Sequence, residues 1–369
     1  MKQSIGKTIH PQSGLQRGLS LIELMISITI GLLILVTLST LFINQSKTRA
    51  ELEKSNRMID NGRYAIELLS DNLRLAGFYD SYVPTSGIPA ALYDPCDKTA
   101  LTNSTENLDI MRVAVQGYNA STTSTPVFSA LCAAVPNVAL NPGSDILVVR
   151  RASTVSLPQP STAVSGTIYL QVSSCPSDAI NYVIATAPAA FPLYLKTCAT
   201  TATLAPLRPF LVQAYFVSPY DIAGDGIPTL KRVEFDPAGS GNFVVTPLVE
   251  GIEYMQIDYG VDDTSDGEAD RYVDCSLCSI TDWSNVVSVK INLVARNQDP
   301  TWGYSDSKTY NLGTAGTVGP FNASPYNASP YPTTYPQLQN YKRHSYTQLI
   351  RLVNPAGRRE TPCASLPCR

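Results

Sequence analysis

From Leu24 to Ile43 the chain runs for 20 residues without a charged side chain. At about 1.5 Å per residue in a helix, that length spans roughly 30 Å, the thickness of a bilayer's hydrocarbon core. The pattern predicts one transmembrane helix over residues 19–43. Lys2, Lys7 and Arg17 precede it with no acid among them, which favours a cytoplasmic amino terminus and sends the rest of the chain across the membrane. Glu23 stands at the mouth of the run. A carboxylate costs about 2.5–3.5 kcal/mol at the centre of a membrane helix and less near its end. Its position calls for a partner charge.

The helical pattern continues beyond the apolar run. No proline occurs between Pro11 and Pro84, and Leu52, Ile59, Ile66 and Leu73 recur at heptad spacing, with Leu69 and Ala76 beside them. This predicts an amphipathic continuation over residues 44–77, its stripe packed on a sheet and its stop at Gly77. Lys47 with Glu51, Arg49 with Glu53 and Glu53 with Arg57 add i,i+4 pairs on the outer faces. Gly31 and Gly62 each cost a helix about 1 kcal/mol relative to alanine.

After Gly77 the composition turns to Thr, Ser, Ala, Pro and Asn with scattered β-branched runs. Candidate strands are Leu108–Ala114, Asp145–Ala152, Thr167–Ser173, Phe210–Val217, Leu230–Phe235, Gly251–Val261, Val286–Arg296 and Tyr346–Val353. Val287, Val289, Ile291, Leu293 and Ala295 alternate as one strand face does. The prediction is an α+β protein in which a long amino-terminal helix packs on an antiparallel head, residues 78–369. That head reads as one domain with insertions near 115–143 and 153–209.

Residues 18–23, Gly-Leu-Ser-Leu-Ile-Glu, follow a short basic leader and open the apolar run. A cleaved secretory signal has a shorter apolar region and a small-residue cleavage site, neither of which fits here. The order of the parts resembles the type IV prepilins and type II secretion pseudopilins. The resemblance implies a pilin-like fold, cleavage between Gly18 and Leu19, N-methylation of Leu19, and residues 1–18 as a removed leader. It also implies that Glu23, fifth in the mature chain, meets a neighbouring subunit's amine during assembly. Leu19 stands where the family more often has Phe. The mature amine would lie within about 6 Å of axial rise of Glu23, so the two charges can offset each other.

A narrower resemblance rests on residues 61–65, Asn-Gly-Arg-Tyr-Ala, and residues 71–78, Asp-Asn-Leu-Arg-Leu-Ala-Gly-Phe. Residues 144–150 and 248–253, and the Asp258-Tyr259-Gly260-Val261-Asp262 segment, add to it. Together these are similar to PilW-type minor pilins. That family implies a scaffold that helps initiate type IV pilus assembly near the pilus tip. Its implied partners are other minor pilins, the major pilin, the prepilin peptidase, the inner-membrane assembly platform and a tip adhesin, with extraction driven by a separate cytoplasmic ATPase. The implied location is the bacterial inner membrane with a periplasmic head, then the pilus, and the dependent behaviours are adhesion, twitching motility or DNA uptake.

Catalytic readings find little support. Beyond the leader only His344 remains, which removes a histidine-based triad or a multi-histidine metal site. There is no P-loop and no dinucleotide fingerprint. His344 reads as a solvated basic strand end. Asp262, Thr264, Asp266 and Asp270 cluster with Gly267 in a candidate calcium loop, but Val273 takes the place of an EF-hand's bidentate Glu, and a solvated hairpin turn is the simpler reading. No other cofactor is expected.

Cys96, Cys132, Cys175, Cys198, Cys275, Cys278, Cys363 and Cys368 form an even set outside the membrane, where disulfides are the default. Sequential pairing is the first expectation. A redox-active Cys275-Ser276-Leu277-Cys278 or a zinc site with Cys363 and Cys368 are alternatives. Residues 301–343 are rich in Tyr, Pro, Asn and Ser and carry a near repeat at 321–330, which reads as an extended loop. Formal charge is −3, becoming −6 once the leader's three cations are lost. Such a surface argues against direct nucleic-acid binding. A type II secretion pseudopilin and a membrane-anchored surface binding module remain the alternatives.

Overall fold

The computed structural model describes residues 18, 20–85, 87–119, 132, 135, 139–141, 143–158, 162–187, 191–198, 204–236, 238–320 and 338–360. The expectations placed on residues 1–17, Leu19, the 321–330 repeat, Cys363 and Cys368 lie outside them. The chain divides into two compact units, Met1–Glu53 and Lys54–Arg369. Helix α1, Leu21–Arg74, contributes to both.

In the first unit α1 carries the apolar run, and its side chains are exposed from Leu24 through Ile43. Among the described residues it is the helix long and apolar enough to cross a membrane. Ser27, Thr29, Thr37 and Thr40 bond back to the helix, for example Ser27 Oγ to the Glu23 carbonyl at 2.7 Å. These hydroxyls therefore need no water in apolar surroundings.

In the second unit α1 buries Met58, Gly62, Ala65, Leu69, Ser70 and Leu73. The stripe expected from heptad spacing holds at Leu69, Leu73 and Ala76, which are fully buried, but Ile59 and Ile66 are only partly buried against the core, and Leu52, in the first unit, is 59% exposed. The reason is close approach. The ring of Tyr346 fills the notch left by Gly62, where a Cβ would stand 2.2 Å from Tyr346 Cε2, and the Tyr346 hydroxyl donates to the Ile59 carbonyl at 3.2 Å. Small residues therefore face the sheet. Gly62→Ala gains about 1 kcal/mol of helix propensity but overpacks a pinned ring, at about 1–3 kcal/mol. A lower melting temperature is expected, and an unchanged or higher one would show that the ring yields.

Thirteen strands form the sheets among the described residues. The larger sheet has seven: β1 Val115–Tyr118, β2 Ile146–Ala152, β3 Ile168–Val172, β4 Tyr182–Thr186, β5 Leu207–Ser218, β6 Thr229–Phe235 and β7 Phe243–Glu250. All its pairings are antiparallel. Long β5 organises it, pairing through Phe210–Tyr215 with β2, Gln213–Ser218 with β6 and Leu207–Pro209 with β3. The smaller sheet runs in the order β13 (Arg343–Arg351), β10 (Val286–Arg296), β8 (Ile252–Val261), β9 (Arg271–Val273). A hairpin of β11, Tyr310–Asn311, and β12, Thr317–Val318, completes the set.

Two cores follow from strand alternation. Leu147, Val149, Tyr215 and Val217 join Ile257, Val289, Ile291 and Leu293 of the smaller sheet and the buried face of α1 in one core. Ile146, Val148, Phe210, Val212 and Phe216 point the other way and pack under Leu101, Ile110 and Met111. Those last residues come from short helices α2, Lys98–Thr102, and α3, Asn107–Arg112. Two more, α4 Ile280–Ser284 and α5 Val353–Arg359, lie later in the chain.

One expectation is corrected here. Leu108–Ala114 is mostly helix α3, with an Asp109–Arg112 ion pair at 2.8 Å along it. Short helices follow Gly77 as well: Asp97 caps α2 through the backbone N–H groups of Thr99 and Ala100. Among the described residues of the stretches near 115–143 and 153–209, β1, β3 and β4 are hydrogen-bonded members of the larger sheet. Gly77 does stop the helix: its φ is +71° and its N–H donates to the Arg150 carbonyl at 2.9 Å.

Cys96–Cys132, Cys175–Cys198 and Cys275–Cys278 are disulfide-bonded, in sequential order and spanning 36, 23 and 3 residues. Loop-closure entropy then ranks their contributions at roughly 3.8, 3.4 and 1.6 kcal/mol. Paired Cys→Ser variants are expected to lose stability in that order by denaturant titration. A Cys275/Cys278 double variant less stable than the Cys96/Cys132 one would reverse it.

Candidate assembly site

The first unit presents its one carboxylate-bearing entrance as a capping box. The Ser20 backbone N–H donates to Glu23 Oε2 at 2.9 Å, and the Glu23 N–H donates to Ser20 Oγ at 3.2 Å. Two otherwise orphaned helix-start donors are satisfied reciprocally, as S-x-x-E predicts. That signature stands in the sequence as Ser20-Leu21-Ile22-Glu23; attention to the charge alone overlooks it. Glu23 therefore already has one role, closing the helix start. Its other carboxylate oxygen leaves an anion at the head of an exposed apolar surface. Gly18 is exposed.

The second unit contains a buried ionic cluster that no local motif announces. Arg343 donates from Nε and Nη2 to the two oxygens of Glu253, at 2.5 and 3.1 Å, and from Nη1 to Asp306 at 3.1 Å. All three side chains are essentially inaccessible. Arg296 lies 3.8 Å from Glu253 and 4.1 Å from the Tyr341 ring centroid, and the Tyr310 hydroxyl donates to Asp306 at 3.0 Å. Burial raises the Glu253 pKa, but Arg343 and Arg296 outweigh it and hold the carboxyl below its ordinary value. Burial likewise opposes the Arg343 charge, yet Glu253 and Asp306 hold the guanidinium above its usual range. The expected solvated basic strand end is right for exposed His344 and wrong for its neighbour Arg343.

The acidic loop after β8 is a hydrogen-bonded turn. Asp262 accepts from the N–H groups of Ser265 and Gly267 and from Arg359 Nε at 2.7 Å. Burial raises its pKa, while Arg359 and those N–H groups bring it below the ordinary value. Asp270 accepts from the N–H groups of Asp263 and Thr264 and from the Thr264 hydroxyl, and Asp266 accepts from the Glu268 N–H. Each residue expected as a calcium ligand thus takes part in a hydrogen bond within the turn. Cys275 and Cys278 are joined to each other in place of a metal.

Comparison with curated proteins and with solved structures finds no match. Residues 214–354 match the family model of type IV pilus-assembly protein W. That segment begins inside β5 and takes in β6 to β13, so it contains the whole smaller sheet, the Glu253–Arg296–Asp306–Arg343 cluster and the acidic turn. It also contains residues 248–262, which carried part of the resemblance read from the sequence. Over residues 214–354 the chain is similar to PilW, a type IV pilus-assembly protein.

Proposed function

We propose that this chain is a minor pilin that helps initiate type IV pilus assembly. Residues 1–18 are its leader, cut after Gly18 and followed by methylation of Leu19; residues 19–43 cross the inner membrane, residues 44–77 continue the helix, and residues 78–369 form the periplasmic head. The observation that carries the reading is one chain holding both a capped, charged entrance to an exposed apolar helix and a PilW-similar head. Apolar side chains exposed in water from Leu24 to Ile43 require lipid or neighbouring helices. A filament of such helices supplies the second after the first. The head's work is contact with other minor pilins and a tip adhesin, and its chemistry is scaffolding: arginines and carboxylates are committed to structural pairs.

A deletion strain tests it. Loss of surface pili, with type II protein secretion intact and piliation restored by the gene in trans, is the expected result. Intact pili with lost secretion would make the chain a pseudopilin instead, and no change in either would leave the helix as a simple anchor for a surface binding module.

A further inference from the structure

Among the three disulfides of the described residues, Cys275–Cys278 differs from the other two in access. Cys132 is 2% exposed and Cys175 is 6% exposed, so each of the longer bridges has one cysteine shut away from water. Cys275 and Cys278 are both half-buried, and Ser276 and Leu277 between them stand in solvent. The difference bears directly on thiol–disulfide exchange. When a thiolate attacks one sulfur the other must leave as an anion, and burial penalises that anion. In the longer bridges the attack is either blocked at the buried sulfur or strands a thiolate there. Either sulfur of Cys275–Cys278 can be attacked, and either can leave toward water.

The bond can also open without loss of the fold, because other contacts hold both its ends. Before it, β9 pairs with β8 through Tyr259–Val273, Gly260–Tyr272 and Val261–Arg271. After it, α4 opens with a capping box, in which the side chains of Ser279 and Asp282 each accept from the other's backbone N–H. Arg271 ties the two together, reaching Asp263 at 2.7 Å and also Asp282. The turn between the cysteines has its own closure as well: the Ser276 N–H and hydroxyl donate to Asp274 Oδ1 at 3.1 and 3.0 Å. A bridge spanning only 3 residues withdraws the least chain entropy from the unfolded state, so opening it costs the head least.

We propose that Cys275–Cys278 is a thiol–disulfide exchange site, with a protein dithiol as its co-reactant and Leu277 as the residue that dithiol protein recognises. Leu277 is 96% exposed. Flanked by the two sulfurs, it gives the incoming protein an apolar side chain to bury at the point of reaction. In the exchange, a thiolate of the dithiol attacks one cysteine sulfur. The Cys275–Cys278 bond breaks as a mixed disulfide forms, and the other cysteine leaves with the electron pair and takes a proton from water. The second thiol, deprotonated, then attacks the partner's sulfur in the mixed disulfide and releases the remaining cysteine, which is protonated in turn. The chain ends with two thiols and the reductant with one disulfide, two electrons and two protons having passed. Oxidised dithiol protein reverses the steps and restores the bridge.

The test titrates the full chain, in detergent micelles under native conditions, with dithiothreitol; new thiols are blocked with N-ethylmaleimide and located by peptide mass spectrometry. Cys275 and Cys278 are expected to be labelled at about a tenth of the reductant that Cys96–Cys132 or Cys175–Cys198 requires, with the circular dichroism unchanged. Labelling of a longer bridge first, labelling of all three together, or labelling that appears only as the circular dichroism is lost overturns the site. Thioredoxin lacking its second active-site cysteine then tests the partner class. It should be trapped as a mixed disulfide on Cys275 or Cys278, and Leu277→Ser should slow the trapping by about tenfold while leaving reduction by dithiothreitol as it was. Trapping elsewhere or not at all overturns the protein dithiol as co-reactant, and equal trapping of the Leu277→Ser chain overturns the role of Leu277.

Discussion

Arg343→Met is expected to destabilise the head by about 3–5 kcal/mol, because it leaves Glu253 and Asp306 as uncompensated charges in a site closed to water. At roughly 2–4 °C per kcal/mol for a unit somewhat smaller than this one, the melting temperature should fall by the order of 10 °C. Arg343→Lys should recover only part of the loss. A single ammonium cannot reproduce the fork that grips both oxygens of Glu253 while a third nitrogen reaches Asp306. Thermal unfolding of the two variants beside the wild type measures both. A Met variant as stable as the wild type would mean that the cluster's desolvation cancels its pairing.

The same cluster fixes a pH dependence. The Glu253 pKa is lower in the folded head than in the unfolded chain, where an ordinary Glu sits near about 4.3. As pH falls, the unfolded chain therefore takes up the proton first. The stabilisation is fully present above the unfolded value and is lost as pH falls through the folded one. Arg343 is shifted upward, so its contribution is complete at neutral and acid pH and fades only in strong alkali. Acid sensitivity should accordingly be blunted in Glu253→Gln, which starts from lower stability.

The second large effect is on assembly. Glu23→Ala should reduce incorporation into sheared filaments by about tenfold or more, the ratio that about 1.4 kcal/mol of lost charge pairing produces. Membrane insertion should be unimpaired, since a carboxylate at a helix mouth is a cost to insertion. The head, in the separate unit from Lys54 onward, should fold normally. Glu23→Gln divides the two roles of the residue. It can still accept the Ser20 N–H bond seen at 2.9 Å but carries no charge. If Gln also fails to assemble, the charge is what the filament needs; if Gln restores assembly, the capping box is. Counting the subunit in purified pili against its membrane level supplies the readout.

How far the sequence showed these features depends on how local each one is. β10 was legible residue by residue because Val287, Val289, Ile291, Leu293 and Ala295 alternate and all are buried. The membrane-length run and the Ser20–Glu23 entrance are equally local. The buried face of α1 is legible at Leu69, Leu73 and Ala76 but not near Gly62, which looks like a gap in an apolar stripe until Tyr346, remote in sequence, is known to occupy it. The apolar residues of α3 suit both periods, and burial beneath a sheet decides for the helix. The ionic cluster was invisible for a plainer reason. Arg343 pairs with Glu253 across 90 residues and with Asp306 across 37, and nothing short-range in the sequence records such a meeting.

Mass spectrometry of the amino terminus, on protein taken from cells with active prepilin peptidase, decides whether residues 18–23 are a processing site leading into a filament. The expected mature chain begins at Leu19, carries an N-methyl group and lacks residues 1–18. A chain that keeps its leader while the peptidase processes other substrates in the same cells would contradict the pilin reading, and with it the assembly role given to Glu23.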